Sequence, residues 1–160
     1  MNDNVTNVVV AGIGGQGVLK ASDILADTAF LAGLDVKKSE IHGMSQRGGS
    51  VTSDVRFGEK VHSPMVPASA ANFLLVIEPD QVQLVRDRLA GEGVLIGPDA
   101  VDASALSNAR SLNVALLGVL STHVSIEDTC WQQALRANLP GKLMDVNIEA
   151  FELGRKAAAG

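Results

Sequence analysis

Three glycines near the start of the chain have the spacing of a loop that binds phosphate groups. Gly12, Gly14 and Gly17 follow a run of valines in the pattern G-x-G-x-x-G. In dinucleotide-binding proteins such a loop places a pyrophosphate at the N-terminus of the following helix. The loop also exposes neighbouring backbone N–H groups, which together form a nest for an anion. The candidate residues of this first loop are Gly12, Gly14, Gly15, Gln16 and Gly17.

The chemistry of the first loop has more than one interpretation. A nicotinamide cofactor requires an acid about twenty residues further on, which binds the ribose hydroxyls. Asp35 lies at the start of the second predicted strand, and Glu40 falls late for this role. Glycines can also serve only to turn a strand sharply into a helix. We favour an anionic group or the backbone of a partner as the ligand of this loop.

The stretch HGMSQRGGSV, residues 42–51, predicts a second polar loop. Arg47 offers a planar fork for a phosphate or carboxylate, and Gly48 and Gly49 let a ligand or another chain approach the backbone. The alternative is a solvated arginine beside a simple turn. If the second strand ends near Glu40, both loops emerge at the carboxyl edge of one sheet, where they form a site or an interface.

The segments around the two loops predict a strand, a helix and a second strand. Residues 5–11 are an apolar run, residues 18–32 keep a helical period until Gly33, and residues 34–39 follow as a strand. This order is a βαβ unit. A core with only 3% aromatic residues suits helices packed on a parallel sheet. We therefore predict an α/β fold, a three-layer αβα Rossmann-like domain with a mostly parallel, mixed sheet.

Three later segments predict further strands. Residues 51–57 alternate between apolar and polar side chains, which places Asp54 and Arg56 together on the outward face. On this interpretation Arg56 is simply solvated. Residues 73–77 and 94–96 are short apolar runs, and each predicts a buried strand.

The remaining segments predict helices. Glu78 precedes the first of these helices, and two interpretations are open for it, an N-cap or a ligand. Pro79 occupies the first helical position. We expect this helix to continue to Gly91, with Arg88 on its outer face. The final helix is expected to begin at an Asn147 cap. Between them, helices are predicted over residues 112–120 and 126–138.

The composition excludes several classes of function. A net charge of −5 offers no basic surface for nucleic acid. The chain shows neither a basic leader nor an apolar run of about 18 residues, so we expect a cytoplasmic protein without a membrane partner. Cys130 is the only cysteine, too few for an iron–sulfur cluster, and the three histidines are far apart, so we expect no metal here. The length suits a single domain over residues 1–160.

Longer stretches of the chain carry a family resemblance. GIGGQGVLKASDILADTAFLAGLDVKKSEIHGMSQRGGSVTSDVRFGEKVHSPMVP, residues 12–67, resembles the gamma-type domain of the ferredoxin-dependent 2-oxoacid oxidoreductases. HGMSQRGGSV, VRFG and SP point to the indolepyruvate branch of that family. ANFLLVIEPDQ resembles a family strand ending in Glu, although Asn72 replaces the usual Asp. VDASALSNARSLNVALLGVLS and NIEAFELG resemble the C-terminal segments of the family.

The resemblance implies a subunit that depends on a partner. The family oxidatively decarboxylates 2-oxoacids, transfers the acyl group to coenzyme A and passes electrons to ferredoxin. Thiamine diphosphate, magnesium and the iron–sulfur clusters are then expected on a large partner subunit, since this chain has no GDG-type thiamine signature and only Cys130. This chain would carry no cofactor and would be inactive alone.

The resemblance also implies a place for the two loops. They would lie at the active-site entrance or at the coenzyme A site, where the nest of residues 14–17 and Arg47 meet a phosphate group or the backbone of the partner. Ser45 and Gln46 would supply neutral hydrogen bonds. His42 is interpreted as a residue that fixes the loop, and no catalytic residue is assigned. Two alternatives remain, a free-standing protein that binds NAD or FAD and an assembly module without chemistry.

Overall fold

The computed structural model describes residues 4–43 and 49–160 of the chain. Its centre is a five-stranded sheet with the strand order β2-β3-β1-β4-β5. The apolar runs and the alternating segment found in the sequence form these strands, because each presents at least one face to the core. The strands are β1 (Val5–Ile13), β2 (Asp35–His42), β3 (Ser50–Gly58), β4 (Ala71–Val76) and β5 (Leu89–Ile96).

The mixed sheet predicted from the sequence is confirmed. β1 pairs in parallel with β4, and β4 with β5, whereas β3 is antiparallel to both β1 and β2. β2 therefore runs in the same direction as β1, and only β3 is reversed. The predicted βαβ unit is present in a split form, with β3 inserted between its two strands.

Within residues 4–43 and 49–160, five α-helices accompany the sheet, and the four long ones lie on one face. Their buried side chains share one core with Val8, Val55 and Leu75 of the sheet. None of the helices in the described part of the chain is long and apolar enough to cross a membrane. The helices are α1 (Val18–Leu31), α2 (Val82–Val85), α3 (Leu112–Ser121), α4 (Asp128–Asn138) and α5 (Met144–Ala159).

The opposite face of the sheet has a thin cover. Val9, Leu74 and Val76 pack there against Val66 and Val85, which belong to an irregular segment and to short α2. The two connections leave the sheet in opposite directions, α1 from β1 to β2 and residues 77–88 from β4 to β5. Right-handed crossovers in opposite directions cover opposite faces. The switch point between them lies at the carboxyl ends of β1 and β4, where open α/β sheets bind ligands.

A partly buried ion pair holds the thin cover against the sheet, and two expectations about its residues were wrong. Asp54 was expected to face outward, and Arg88 was expected on the outer side of a helix. Asp54 is only 2% exposed, and its two carboxylate oxygens accept hydrogen bonds of 2.8 and 2.7 Å from the Arg88 guanidinium. The same carboxylate accepts the N–H of Val66 at 2.9 Å. The outward face of β3 is thus covered by the segments that carry Val66 and Arg88. The alternating pattern of the strand does not predict this cover.

Two expectations about helix boundaries were also wrong. The segment after Pro79 does not continue as a helix to Gly91, because it passes through 3₁₀ turns and α2 and then enters β5 at Leu89. Asn147 is not a cap, since it lies inside α5 and its Nδ2 donates to the carbonyl of Leu143 at 2.9 Å. The predicted strands over residues 51–57 and 73–77 lie within or next to β3 and β4 and are confirmed as elements.

Candidate functional site

The first glycine loop is a tight turn at the carboxyl end of β1. The N–H of Gln16 donates to the carbonyl of Ile13 at 3.2 Å, and Gly15 has φ +90°. A positive φ at the third residue of a four-residue turn is typical of type II, which favours glycine there. Residues 13–16 are called the glycine turn below.

Gln16 fixes the glycine turn through its side chain. Its Oε1 accepts the N–H of Ile13 at 2.9 Å, and its Nε2 donates to Glu78 Oε2 at 2.8 Å. The orientation of the amide is set by chemistry, because a backbone N–H can only donate and a carboxylate can only accept. Sequence reasoning weighed Glu78 as a cap or a ligand, but its side chain makes no cap hydrogen bond.

Gly17 connects the turn to α1 and has two reasons to be glycine. It is the N-cap residue of α1 with φ 80°, a backbone conformation that other residues rarely adopt. A Cβ at this position would also lie 2.4 Å from Nδ2 of Asn113. That Nδ2 donates to the carbonyl of Gly17 at 3.0 Å, and Asn113 is 5% exposed. No pattern in the sequence indicates that Asn113 supports the loop from α3.

The backbone donors of the turn are partly used within the chain. The N–H of Gly14 donates to the carbonyl of Gly49 at 2.9 Å, and that of Gln16 closes the turn. The expected nest of consecutive donors is therefore reduced to alternate ones. Within residues 4–43 and 49–160, no recorded backbone hydrogen bond takes the N–H of Gly15 or Gly17.

The bond between Gly14 and Gly49 brings the two glycine loops together. β2 ends at His42, Gly43 donates to the carbonyl of Ser50 at 2.6 Å, and β3 begins there. The described ends of the second loop, Gly43 and Gly49, thus lie at the same edge of the sheet as the glycine turn, as expected. Four candidates of the second loop lie outside the described residues and stay predictions: Ser45, Gln46, Arg47 and Gly48.

A shallow pocket of about 270 Å³ lies between the glycine turn and the end of β2. Gly15, Gly17, Lys20 and His42 are among its lining residues, and none of its described lining residues is acidic. Lys20 also donates to the carbonyl of Asn138 at 2.9 Å. Because helix α1 begins here and has no acid in its first turn, the pocket favours a negatively charged group. We call it the glycine pocket.

Neither acid proposed for a ribose is placed to bind one beside the first loop. Asp35 Oδ2 accepts the N–H of Val61 at 2.8 Å at the far end of β2, and this hydrogen bond lowers the pKa of Asp35. Glu40 accepts a hydrogen bond from Lys38 at 2.8 Å on the edge strand, and β3 separates that strand from β1. Burial lowers the pKa of Lys38, but hydrogen bonds and charges from Asp23 and Glu40 raise it overall.

The other residues considered as functional candidates either make contacts within the fold or are at least partly exposed to solvent. Arg56 was expected to be solvated, but its guanidinium donates to Asn7 Oδ1 and to the carbonyl of Ser63, both at 2.8 Å. Cys130 is half-buried on α4. His42 is exposed at the end of β2. Among residues 4–43 and 49–160, no cluster of three or more His, Cys, Asp or Glu could hold a metal ion.

Comparison with known proteins identifies the family. The family model of pyruvate ferredoxin/flavodoxin oxidoreductase matches residues 7–157. Indolepyruvate oxidoreductase subunit IorB of Thermococcus kodakarensis is 34% identical, with 95% of each chain covered. The same subunit of Methanothermobacter thermautotrophicus is 30% identical, covering 96% of this chain and 97% of that one. The alignment with the former spans 192 positions, so that relative carries insertions.

Solved structures share the fold at low identity. The keto/oxoacid ferredoxin oxidoreductase gamma subunit of Geobacter sulfurreducens has a TM-score of 0.79 at 18% identity, with 97% of each chain covered. A 2-oxoglutarate:ferredoxin oxidoreductase of Magnetococcus marinus, with 2-oxoglutarate, coenzyme A and succinyl-CoA bound, has a TM-score of 0.81 at 18% identity. That match covers 99% of this chain and 32% of the other. The chain therefore belongs to the pyruvate ferredoxin/flavodoxin oxidoreductase family, as a subunit of a 2-oxoacid:ferredoxin oxidoreductase.

Proposed function

We propose that residues 1–160 are a gamma-type domain that forms the beta subunit of an indolepyruvate-type oxidoreductase and carries none of its redox cofactors. The support is the identity of 30–34% to IorB subunits over 95–96% of this chain. A single cysteine does not fit an iron–sulfur cluster, which takes about four thiolates. Thiamine diphosphate, magnesium and the clusters then belong to a large partner subunit, and electrons reach ferredoxin through the complex.

The proposed reaction is the oxidative decarboxylation of an arylpyruvate. The bond between the keto carbon and the carboxylate breaks and releases CO₂, and the acyl carbon forms a bond to the sulfur of coenzyme A. One proton is released, and two electrons pass to ferredoxin. Bound thiamine diphosphate supplies the carbanion chemistry, as cofactors generally do. This chain contributes binding, orientation and the exclusion of water.

Within that complex, the glycine pocket is proposed to receive a phosphate-bearing part of coenzyme A at the entrance to the active site. The observation that carries this role is the hydrogen bond of 2.9 Å between Gly14 and Gly49, which joins the two loops beside the start of α1. The N–H groups of Gly15 and Gly17 and the positive end of the helix favour an anion. Arg47 is proposed to add a bidentate contact, and Ser45 and Gln46 neutral hydrogen bonds.

The same loops could instead meet the backbone of the partner and close the active site against water. Excluding water strengthens the electrostatic interactions around a charged intermediate. This second role predicts an effect on complex formation rather than on coenzyme A. The two roles are therefore separable by kinetics.

The free-standing NAD or FAD protein is the less supported alternative. A nicotinamide cofactor needs an acid at the end of the strand that follows the first helix, next to β1. Here that strand, β2, is separated from β1 by the reversed strand β3, and Glu40 on β2 accepts a hydrogen bond from Lys38 at 2.8 Å. Calorimetric titration of the full chain with NADH, FAD and coenzyme A tests this alternative. Tight binding of NADH or FAD would favour it over our proposal.

Substitution of Arg47 in the assembled complex tests the role of the second loop. We expect Arg47→Ala to raise the KM for coenzyme A by roughly tenfold, the loss of one charged hydrogen bond. The KM for the 2-oxoacid and the circular dichroism spectrum should not change. Arg86→Ala is the matched control, because Arg86 is exposed near the start of β5. Equal KM values for coenzyme A in the two variants would refute the proposed contact.

A further inference from the structure

We propose that Gln16 and Glu78 are a positioning pair that sets the shape of the glycine turn for its ligand. The inference rests on the proposed function and names a device within the same site. The pair joins two segments that are 62 residues apart in sequence, through a hydrogen bond of 2.8 Å between Gln16 Nε2 and Glu78 Oε2.

The location of Glu78 explains how the pair can affect a ligand at this edge of the sheet. β4 lies beside β1 in parallel, and the N–H of Ile77 donates to the carbonyl of Ala11 at 2.8 Å. Glu78 is the next residue after this last contact between the strands. It therefore stands at the switch point of the sheet, directly across from the start of the turn. A ligand in the crevice at this edge would lie against the turn that Glu78 holds.

Gln16 connects Glu78 to the backbone of the turn through hydrogen bonds. Its Oε1 accepts the N–H of Ile13 at 2.9 Å, while its own N–H donates to the carbonyl of Ile13 at 3.2 Å. The turn is closed twice, once by the backbone and once by the side chain. The glycines within it would otherwise have wide conformational freedom.

The side chain of Gln16 lies close to the backbone of Gly12. A Cβ added at Gly12 would lie 2.9 Å from Gln16 Oε1 and 2.8 Å from Val18 Cγ2. The side chain of Gln16 thus folds back over Gly12 at the end of the strand, on the side where Val18 of α1 also lies. Gly15, in contrast, has nothing within 4 Å of a hypothetical Cβ and faces outward. The pair therefore fixes the inner side of the turn and leaves the outer side open for a ligand.

Glu78 carries a negative charge next to a site proposed for an anion, so charge and hydrogen bonding must be separated. Glu78→Gln keeps an acceptor oxygen for Gln16 Nε2 and removes the charge. Glu78→Ala removes both. Gln16→Glu keeps an acceptor for the Ile13 N–H but sets two carboxylates against each other. The double variant Gln16→Glu with Glu78→Gln exchanges the two groups and restores both hydrogen bonds.

The experiment compares these four variants in the assembled complex. We expect Glu78→Ala and Gln16→Glu each to raise the KM for coenzyme A roughly tenfold, because a hydrogen bond to a charged group is lost or opposed. Glu78→Gln and the exchanged double variant should have a KM within about threefold of wild type. The KM for the 2-oxoacid should stay constant throughout. The retention of the partner subunit during purification is measured for every variant.

A matched control exists elsewhere in the chain. Asn138 Nδ2 donates to Asp27 Oδ2 at 2.8 Å, an amide–carboxylate pair of the same chemistry between α4 and α1. Asp27→Ala breaks that pair away from the glycine turn, and we expect it to leave the KM for coenzyme A unchanged. An effect as large as that of Glu78→Ala would overturn the proposal.

The outcomes separate this inference from the proposed function. Rescue by the exchanged double variant, either in the KM for coenzyme A or in partner retention, supports the pair. A second outcome is that the double variant restores partner retention while the KM for coenzyme A is unchanged in every variant, including Arg47→Ala. This result supports the pair and refutes the proposed binding of coenzyme A. Absence of rescue on both readouts, including the case in which single variants fail to assemble, overturns the pair.

Discussion

The two edges of the sheet differ in size and in chemistry. The larger hollow, about 780 Å³, lies at the amino edge, where Asn4, Gly33, Phe73 and His123 are among its lining residues. We call it the N-terminal hollow. The glycine pocket at the carboxyl edge measures only about 270 Å³. Volume alone would select the amino edge, so the choice of site has to come from the groups that line each space.

The lining groups favour the carboxyl edge for an anionic ligand. Glu59 and Glu92 line the N-terminal hollow, and none of its described lining residues is Lys or Arg. The glycine pocket has the start of α1, Lys20 and His42 and no described acid. Parallel sheets bind ligands at the carboxyl ends of their strands, because helix N-termini and connecting loops meet there. The smaller space therefore has the chemistry of a site.

The largest expected effect contrasts two glycines, one at each edge. Gly17 has φ 80° and Gly33 has φ 84°, so alanine at either position costs about 1–2 kcal/mol of backbone strain. At Gly17 the new Cβ would also meet Asn113 at 2.4 Å, whereas at Gly33 it meets nothing within 4 Å. We expect overpacking to add about 1–3 kcal/mol in Gly17→Ala. Thermal unfolding and turnover of the complex measure both variants.

Only Gly17→Ala should also lower turnover per assembled complex. Gly33→Ala serves as the control for strain. It places alanine at the same positive φ as Gly17→Ala, but at the amino edge of the sheet. Loss of turnover in Gly33→Ala of the same size would show that the contrast between the edges is wrong.

A smaller effect is expected from the N-terminal hollow itself. His123 stacks at a tilt on Phe73, with 5.6 Å between the ring centroids. His123→Ala should reduce stability by about 0.5–1.5 kcal/mol, the usual contribution of an aromatic pair. The KM values for coenzyme A and for the 2-oxoacid should not change in steady-state assays. A raised KM for either substrate would move the candidate site to the amino edge.

The smallest effect is a dependence of stability on pH at the amino edge. The N–H of Val61 donates to the Asp35 carboxylate and lowers the pKa of that group. The carboxylate therefore stabilises the fold above the pKa of the unfolded state, and this contribution is lost as pH falls through the lower, folded value, below about pH 4. The Tm of wild type should exceed that of Asp35→Asn at pH 7, and the gap should narrow as pH falls below about 4. A constant gap would mean that the charge has no role.

Local patterns predicted the parts of the fold that depend on neighbouring residues. The glycine turn and α1 follow from glycine spacing and a helical period within residues 8–33. The position of β3 between β1 and β2 could not be predicted, because an alternating pattern indicates a strand but not its neighbours. The prediction of a helix from Pro79 to Gly91 was wrong for a related reason. Leu89 continues the apolar spacing of a helix, yet it pairs in β5 with Ala71.

The supporting contacts of the site were hidden by distance along the chain. Gln16 and Glu78 are 62 residues apart, and Asn113 is 96 residues from Gly17. The sequence analysis considered Gln16 and Glu78 separately and gave no role to Asn113. The contact of Gln16 with Glu78 depends on the pairing of β4 beside β1, and the contact of Asn113 with Gly17 depends on the position of α3. The sequence thus predicted which loops form the candidate site but not the contacts that hold the first of them.

We propose that this chain works only as part of a complex. The direct measurement is to tag the chain in its native cells, purify it, and assay iron, thiamine and the reduction of ferredoxin by arylpyruvate and coenzyme A. We predict that iron and thiamine co-purify with a larger subunit, and that the separated chain reduces no electron carrier. Reduction of a carrier by the separated chain alone would contradict the account.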